Sequence, residues 1–188
     1  MKREEKRNSI LETADRLFGL QGFNGTGVDQ IAAESGVTKR TLYKHFGSKE
    51  GLITAVLEQH RAEMLERTRA QVAAAELSPR ERLLLCFDLY RNWFSQRNFH
   101  GCIFIKTLNE FASCSPGLSE IAKQAKRSMR NLIYDIAAEA KLVNPDLLAD
   151  QLQLLLEGSI VVAQSGSGPE VIDVAKDVAI RLINEAER

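Results

Sequence analysis

Apolar residues recur at three- and four-residue intervals along most of the chain, and the strict alternation of a half-buried strand is nearly absent. The first such stripe is Ile10, Leu11, Ala14, Leu17 and Phe18, stopping at Gly22, a residue suited to a left-handed cap, with Phe23 just beyond. Thr26-Gly27-Val28-Asp29 reads as a capping box, Thr26 as N-cap and Asp29 reaching back, opening a helix that turns Val28, Ile31 and Ala32 inward and ends near Gly36. A short helix follows from Lys39 to Phe46, broken by Gly47-Ser48. Ser48 then caps a long fourth helix carrying Leu52, Ile53, Val56 and Leu57 and reaching about Ala75. Ser78-Pro79 starts the next helix, whose apolar face runs from Leu83 to Phe94. Cys102–Phe111, Leu118–Ala140, Pro145 to about Ala163 and Glu170–Glu187 complete the pattern, with Ser165-Gly166-Ser167-Gly168-Pro169 as a flexible joint. The prediction is an all-α fold of about nine helices, divided near residue 50 into a small module, 1–50, and a larger helical body, 51–188.

Residues 28–46 have helix-turn-helix spacing. Ala32 is small where two helices must cross closely, and Gly36, four residues on, suits a turn with positive φ. Val37 and Leu42 flank the turn as buried residues, Thr38 caps the second helix, and Leu42 and Phe46 point inward at i and i+4. Lys39, Arg40, Thr41, Tyr43, Lys44 and His45 occupy the remaining surface. From Gly36 to Lys49 the chain carries Lys39, Arg40, Lys44 and Lys49 and no acid, four positive charges in fourteen residues. On a helix short enough for a major groove, that composition faces DNA.

The overall balance is silent on this, since 25 Lys and Arg offset 25 Asp and Glu among 188 residues. It does exclude a basic tail or a polyacidic solvating chain. The 44% apolar content is that of a folded domain, no run approaches a membrane span, and the charged start lacks a secretory apolar region. A cytoplasmic protein is expected. Cys86, Cys102 and Cys114 make neither a disulfide framework nor a metal spacing, so no metal and no cofactor are expected.

The stretch Val28-Asp29-Gln30-Ile31-Ala32-Ala33-Glu34-Ser35-Gly36-Val37-Thr38-Lys39-Arg40-Thr41-Leu42-Tyr43-Lys44-His45-Phe46-Gly47-Ser48-Lys49-Glu50 resembles the signature of the tetracycline-repressor (TetR) family of bacterial transcriptional regulators. Ile10 through Thr26 matches its first helix and turn. The resemblance implies a DNA-contacting surface within residues 26–49, from Thr26 to Lys49. Tyr43 and Lys49 would grip phosphates, while Thr38, Arg40, Thr41 and His45 lie on the reading helix. Arg40 is the candidate for a base contact, with Lys39 and Lys44 on the backbone. Gly27 and Gly51 depart from the family pattern, the first losing a hydroxyl and the second loosening the fourth helix.

The resemblance also implies a homodimer on a palindromic double-stranded operator, joined through the last two helices and released by a small-molecule effector that tilts the fourth helix. The stripes Leu152, Leu155 and Val171, Val174, Ala175, Val178, Leu182 are the candidate dimer residues. Tyr90, Trp93, Phe94, Cys102, Phe104 and Phe111 are the candidate effector residues. Gly101-Cys102-Ile103-Phe104 resembles a motif of one family branch, and a helix start beside His100 favours a thiolate. A thiol-sensing repressor acting through Cys102 is therefore the second reading. A helical interaction module without DNA binding is a third. Neither a phosphate loop nor a nucleophile elbow points to an enzyme.

Overall fold

The computed structural model describes residues 2–74 and 76–187. Among them the chain forms nine α-helices and no strand: α1 (Arg3–Gly25), α2 (Val28–Glu34), α3 (Lys39–Phe46), α4 (Lys49–Ala74), α5 (Pro79–Phe94), α6 (Ile103–Phe111), α7 (Pro116–Glu139), α8 (Pro145–Val162) and α9 (Val171–Ala186). The expected end of the fourth helix at Ala75 lies outside the described residues.

Local chemistry sets several boundaries. At α5 the Ser78 hydroxyl oxygen accepts from the Glu81 N–H, and the Glu81 carboxylate accepts from the Ser78 N–H and hydroxyl. Those bonds hold the Glu81 carboxyl below the usual carboxylate range. Three expectations are amended. First, the break expected at Gly22 forms, with φ +77° and ψ 171°, but a further helical turn follows it as far as Gly25. Second, the box at Thr26–Asp29 does not form. Gly27 is the N-cap of α2 without a side-chain bond, because Thr26 is fully buried with its hydroxyl donating to the carbonyls of Gly22 (2.7 Å) and Leu17 (3.3 Å). Third, a π-helical continuation of α8 from Ala163 leads into the joint expected at 165–169, within which the chain breaks at Gly166 (φ +103°) and Gly168 (φ +75°).

The chain divides into two compact units. The first comprises residues up to Glu63 together with Cys102–Gln124. In it α1 packs on α2, α3 and α6, and its buried residues include Ile10, Phe18, Phe23, Ile31, Leu42, Leu52, Leu57 and Phe104. The second comprises Met64–Gly101 and the residues from Ala125 onward. There α5, α8 and α9 pack mutually, burying Leu83, Phe87, Leu148, Leu156, Ile172 and Ile183. Ion pairs lace its rim: Lys126–Glu157 at 2.6 Å, Lys176–Asp88 at 2.6 Å and Arg91–Asp173 at 3.0 Å. Arg130 grips both Asp146 and Asp150, holding the Asp150 carboxyl below its usual range. A cut at residue 50 separates the reading helices from α6 in sequence, yet α6 belongs to their unit.

Candidate nucleic-acid interface

The connection between α2 and α3 is a tight turn whose backbone groups are paired. The N–H groups of Ser35, Gly36 and Val37 donate to the carbonyls of Ile31 (3.0 Å), Ala33 (3.2 Å) and Ala32 (3.0 Å). Gly36 adopts φ +68°, a conformation that penalises a β-carbon. Thr38 caps α3, its hydroxyl oxygen accepting from the Thr41 N–H at 3.2 Å and lying 2.9 Å from the Thr41 hydroxyl. Leu42 is fully buried, which turns Arg40, Tyr43 and Lys44 outward into solvent.

The predicted contact residues fall into two sets. Arg40 and Lys44 are exposed and form no ion pair among the described residues, and Tyr43 is exposed beside them. Lys39, in contrast, pairs with Asp29 of α2 at 3.0 Å, and the Lys49 ammonium donates to the Phe23 carbonyl at 2.6 Å. Both must exchange these partners to meet phosphate. Thr26 has no free hydroxyl, as described above. His45 is half-buried at the end of α3. Burial foremost, then Arg3, Arg7, Lys44 and Lys6, holds its imidazole below the ordinary histidine range. Gly51 has a packing role: a β-carbon there would meet the Phe46 carbonyl oxygen at 2.1 Å, so the glycine lets the end of α3 approach the start of α4.

What positions the reading helices was not apparent from sequence. Glu110 of α6 accepts the N–H of Phe23 (3.0 Å) on one carboxylate oxygen and that of Asn24 (2.7 Å) on the other. It sits against the Gly22 kink, where a β-carbon would lie 2.7 Å from its Oε1. Lys106, one turn earlier, donates to the Gly19 carbonyl. Burial lowers the pKa of this ammonium, with Glu110 and Cys102 acting in the opposite direction. Ser115 donates to Glu50 of α4 at 2.7 Å. The backbone groups freed by the α1 kink thus find charged partners on α6, which fixes the corner leading into α2. The sequence signal was Gly22-Phe23, which marks a break but not its partner 87 residues away.

The six candidate effector residues do not share one unit. Tyr90, Trp93 and Phe94 belong to the second, where Trp93 and Phe94 pack on Phe99 at centroid distances of 5.1 and 4.9 Å and Tyr90 packs on Trp93 and Phe94 at 5.7 and 6.0 Å. Cys102, Phe104 and Phe111 belong to the first, Phe104 edge-on to His60 and Phe111 against Phe23. Cys102 and Cys86 are buried and Cys114 is exposed; burial pushes the Cys86 thiol up to about 12.

The candidate dimer residues also separate. Leu152 and Ala175 are buried within their unit and serve as core. Leu155, Val171 and Leu182 are half-buried, whereas Val174 (67% exposed) and Val178 face solvent. On α8 the outward stripe is Leu147, Leu154 (73% exposed) and Val161, three residues at seven-residue spacing. Leu154 and Val161 are not among the residues expected from sequence, because α8 is apolar nearly all round.

A capped helix-turn-helix with an outward cationic face, carried by an all-helical chain, defines a DNA-binding regulator. Residues 10–56 match the family described as bacterial regulatory proteins, tetR family. The transcriptional activator FasR of Mycolicibacterium smegmatis is 26% identical over 161 residues, 86% of this chain and 70% of that protein. The transcriptional repressor ComR of Escherichia coli is 25% identical over 187 residues, 94% and 88% of the two chains. Among solved structures, reduced E. coli NemR superposes with a TM-score of 0.87 at 25% identity, over 95% of this chain and 96% of that one. A TetR-family regulator from Streptomyces coelicolor shares the fold, with a TM-score of 0.88 at 22% identity over 98% and 97%. The family match at residues 10–56, the relatives and the solved structures together support a TetR-family, DNA-binding transcriptional regulator. No helix among the described residues is long and apolar enough to cross a membrane.

Proposed function

We propose that the protein is a homodimeric repressor that holds a palindromic operator through two copies of α3 and leaves it when its helical body takes up a small molecule. The observation that carries the reading is the pair of exposed, unpaired cations Arg40 and Lys44 on a capped helix of groove-fitting length. The outward stripe of Leu147, Leu154 and Val161 on α8, with Val174 and Val178 on α9, supports dimerisation, since so much aliphatic surface on adjacent helices favours a covering partner. The repressor names of the E. coli relatives ComR and NemR support the direction of control.

The body's stacked aromatic group, Tyr90, Trp93, Phe94 and Phe99, favours an effector with apolar or aromatic surface. Burial of Cys86 and Cys102 supports this small-ligand reading over a thiol switch. The test is Leu154→Glu. The side chain is 73% exposed in the single chain, so folding tolerates the change, while a dimer seam does not. Sedimentation shifts from dimer to monomer and operator affinity falls by at least about tenfold as the two half-sites are no longer held together. A variant that remains a dimer with unchanged affinity overturns the proposed seam.

A further inference from the structure

Arg3, Lys6 and Arg7 stand at i, i+3 and i+4 on the first turns of α1, and the same helical stripe continues into Ile10 and Ala14, both fully buried. The cations therefore occupy the edge of α1 that borders its packed face, beside the end of α3. Two observations fix that placement. The Arg7 guanidinium lies over the Phe46 ring, 5.6 Å from its centroid. Arg3, Arg7 and Lys6 also act together with Lys44 against protonation of His45, which requires all four to lie near its imidazole.

Among the described residues no acid pairs with this cluster of Arg3, Lys6, Arg7 and Lys44. The neighbouring Glu5 is turned back to accept the Lys2 N–H at 2.7 Å. Four like charges around one imidazole repel one another, and an external anion relieves that repulsion. The anion already adjacent is the duplex that α3 reads, because Lys44 belongs both to the cluster and to the exposed face of α3.

We propose that Arg3, Lys6 and Arg7 form a second phosphate-gripping edge, continuous with Lys44, that holds the DNA backbone flanking the segment read by α3. This rests on the operator-binding reading above. The edge adds contacts without adding base readout: three phosphates per chain, six per dimer. It also compensates for Lys39 and Lys49, which are engaged with Asp29 and the Phe23 carbonyl.

The experiment measures affinity against salt for a duplex recovered from a random pool, in full length and trimmed by about four base pairs at each end. The wild type is compared with R3Q/K6Q/R7Q and with K6Q alone, whose native side chain makes no hydrogen bond among the described residues. Each phosphate contact contributes about 0.9 to the slope of log affinity against log salt, so the triple variant's slope is shallower by about 5 and that of K6Q by about 2. Trimming weakens the wild type and leaves the triple variant nearly unchanged. Equal slopes for wild type and K6Q, or equal losses on trimming for wild type and triple variant, overturn the proposal while binding itself stands. Failure of the wild type to bind any selected duplex overturns the operator reading instead.

Discussion

Glu110 ties the end of α1 to α6, and Glu110→Gln isolates its contribution to the placement of the reading helices. The carboxylate accepts the Phe23 and Asn24 N–H groups at 3.0 and 2.7 Å, one on each oxygen. Glutamine keeps the shape and one acceptor, but its amide turns a donor toward the second N–H, so one bond is lost and replaced by two facing donors. A hydrogen bond to a charged acceptor contributes about 1.5–3 kcal/mol. The site is half-buried and Asn24 is exposed, so water recovers part of this and the net loss is about 1–2 kcal/mol. Urea unfolding reads that loss as a lowered midpoint at unchanged slope. Amide exchange localises it: Phe23 and Asn24 lose protection first, while the α8–α9 pairing in the other unit keeps its own. A midpoint unchanged to within about 0.3 kcal/mol, with Phe23 and Asn24 as protected as in the wild type, refutes the view that α6 pins the α1–α2 corner.

Two further outcomes follow from single contacts. Gly51→Ala gains about 1 kcal/mol of helix propensity, yet its β-carbon meets the Phe46 carbonyl at 2.1 Å, a backbone atom that cannot swing aside. The expected net loss is about 1 kcal/mol, read as a lower melting temperature, and a variant more stable than the wild type contradicts the close approach. His45, held below the ordinary histidine range, binds its proton less readily in the folded chain than in the unfolded one. Its contribution therefore makes stability rise with pH through the window below about 6.5, level off above it, and weaken as the pH falls. His45→Gln removes that slope between about pH 5 and about pH 7 in urea midpoints, and an unaltered slope assigns it to other groups.

Much of the fold was legible because local chemistry decided it. Ser78-Pro79 at a helix start, Gly36 at a turn needing positive φ, and Thr38 ahead of a cationic helix each act within a few residues, and the structure keeps all three. The misreadings arose where a distant partner changed a local choice. Thr26 has the chemistry of an N-cap, but burial against the end of α1 takes its hydroxyl for the Gly22 and Leu17 carbonyls, and Asp29 turns to Lys39 instead. Gly22 does interrupt the helix, but the carboxylate that holds the turn beyond it lies on α6, out of reach of any local signal. Leu152 and Leu154 are indistinguishable by hydropathy, and only the packing of α8 on α9 makes one core and the other surface. Periodicity shows that a helix has an apolar face, but a helix apolar on several sides does not reveal which side meets its own chain.

The measurement that tests the central claim most directly is a competition titration of the full chain against a selected palindrome and a scrambled duplex, with wild type and Arg40→Ala side by side. Two chains should bind per palindrome. Arg40→Ala should lose about 1–3 kcal/mol of preference per half-site for the palindrome while retaining most of its salt-dependent affinity for the scrambled duplex. Undiminished preference in Arg40→Ala, or no discrimination between duplexes by the wild type, would contradict base reading by the exposed face of α3.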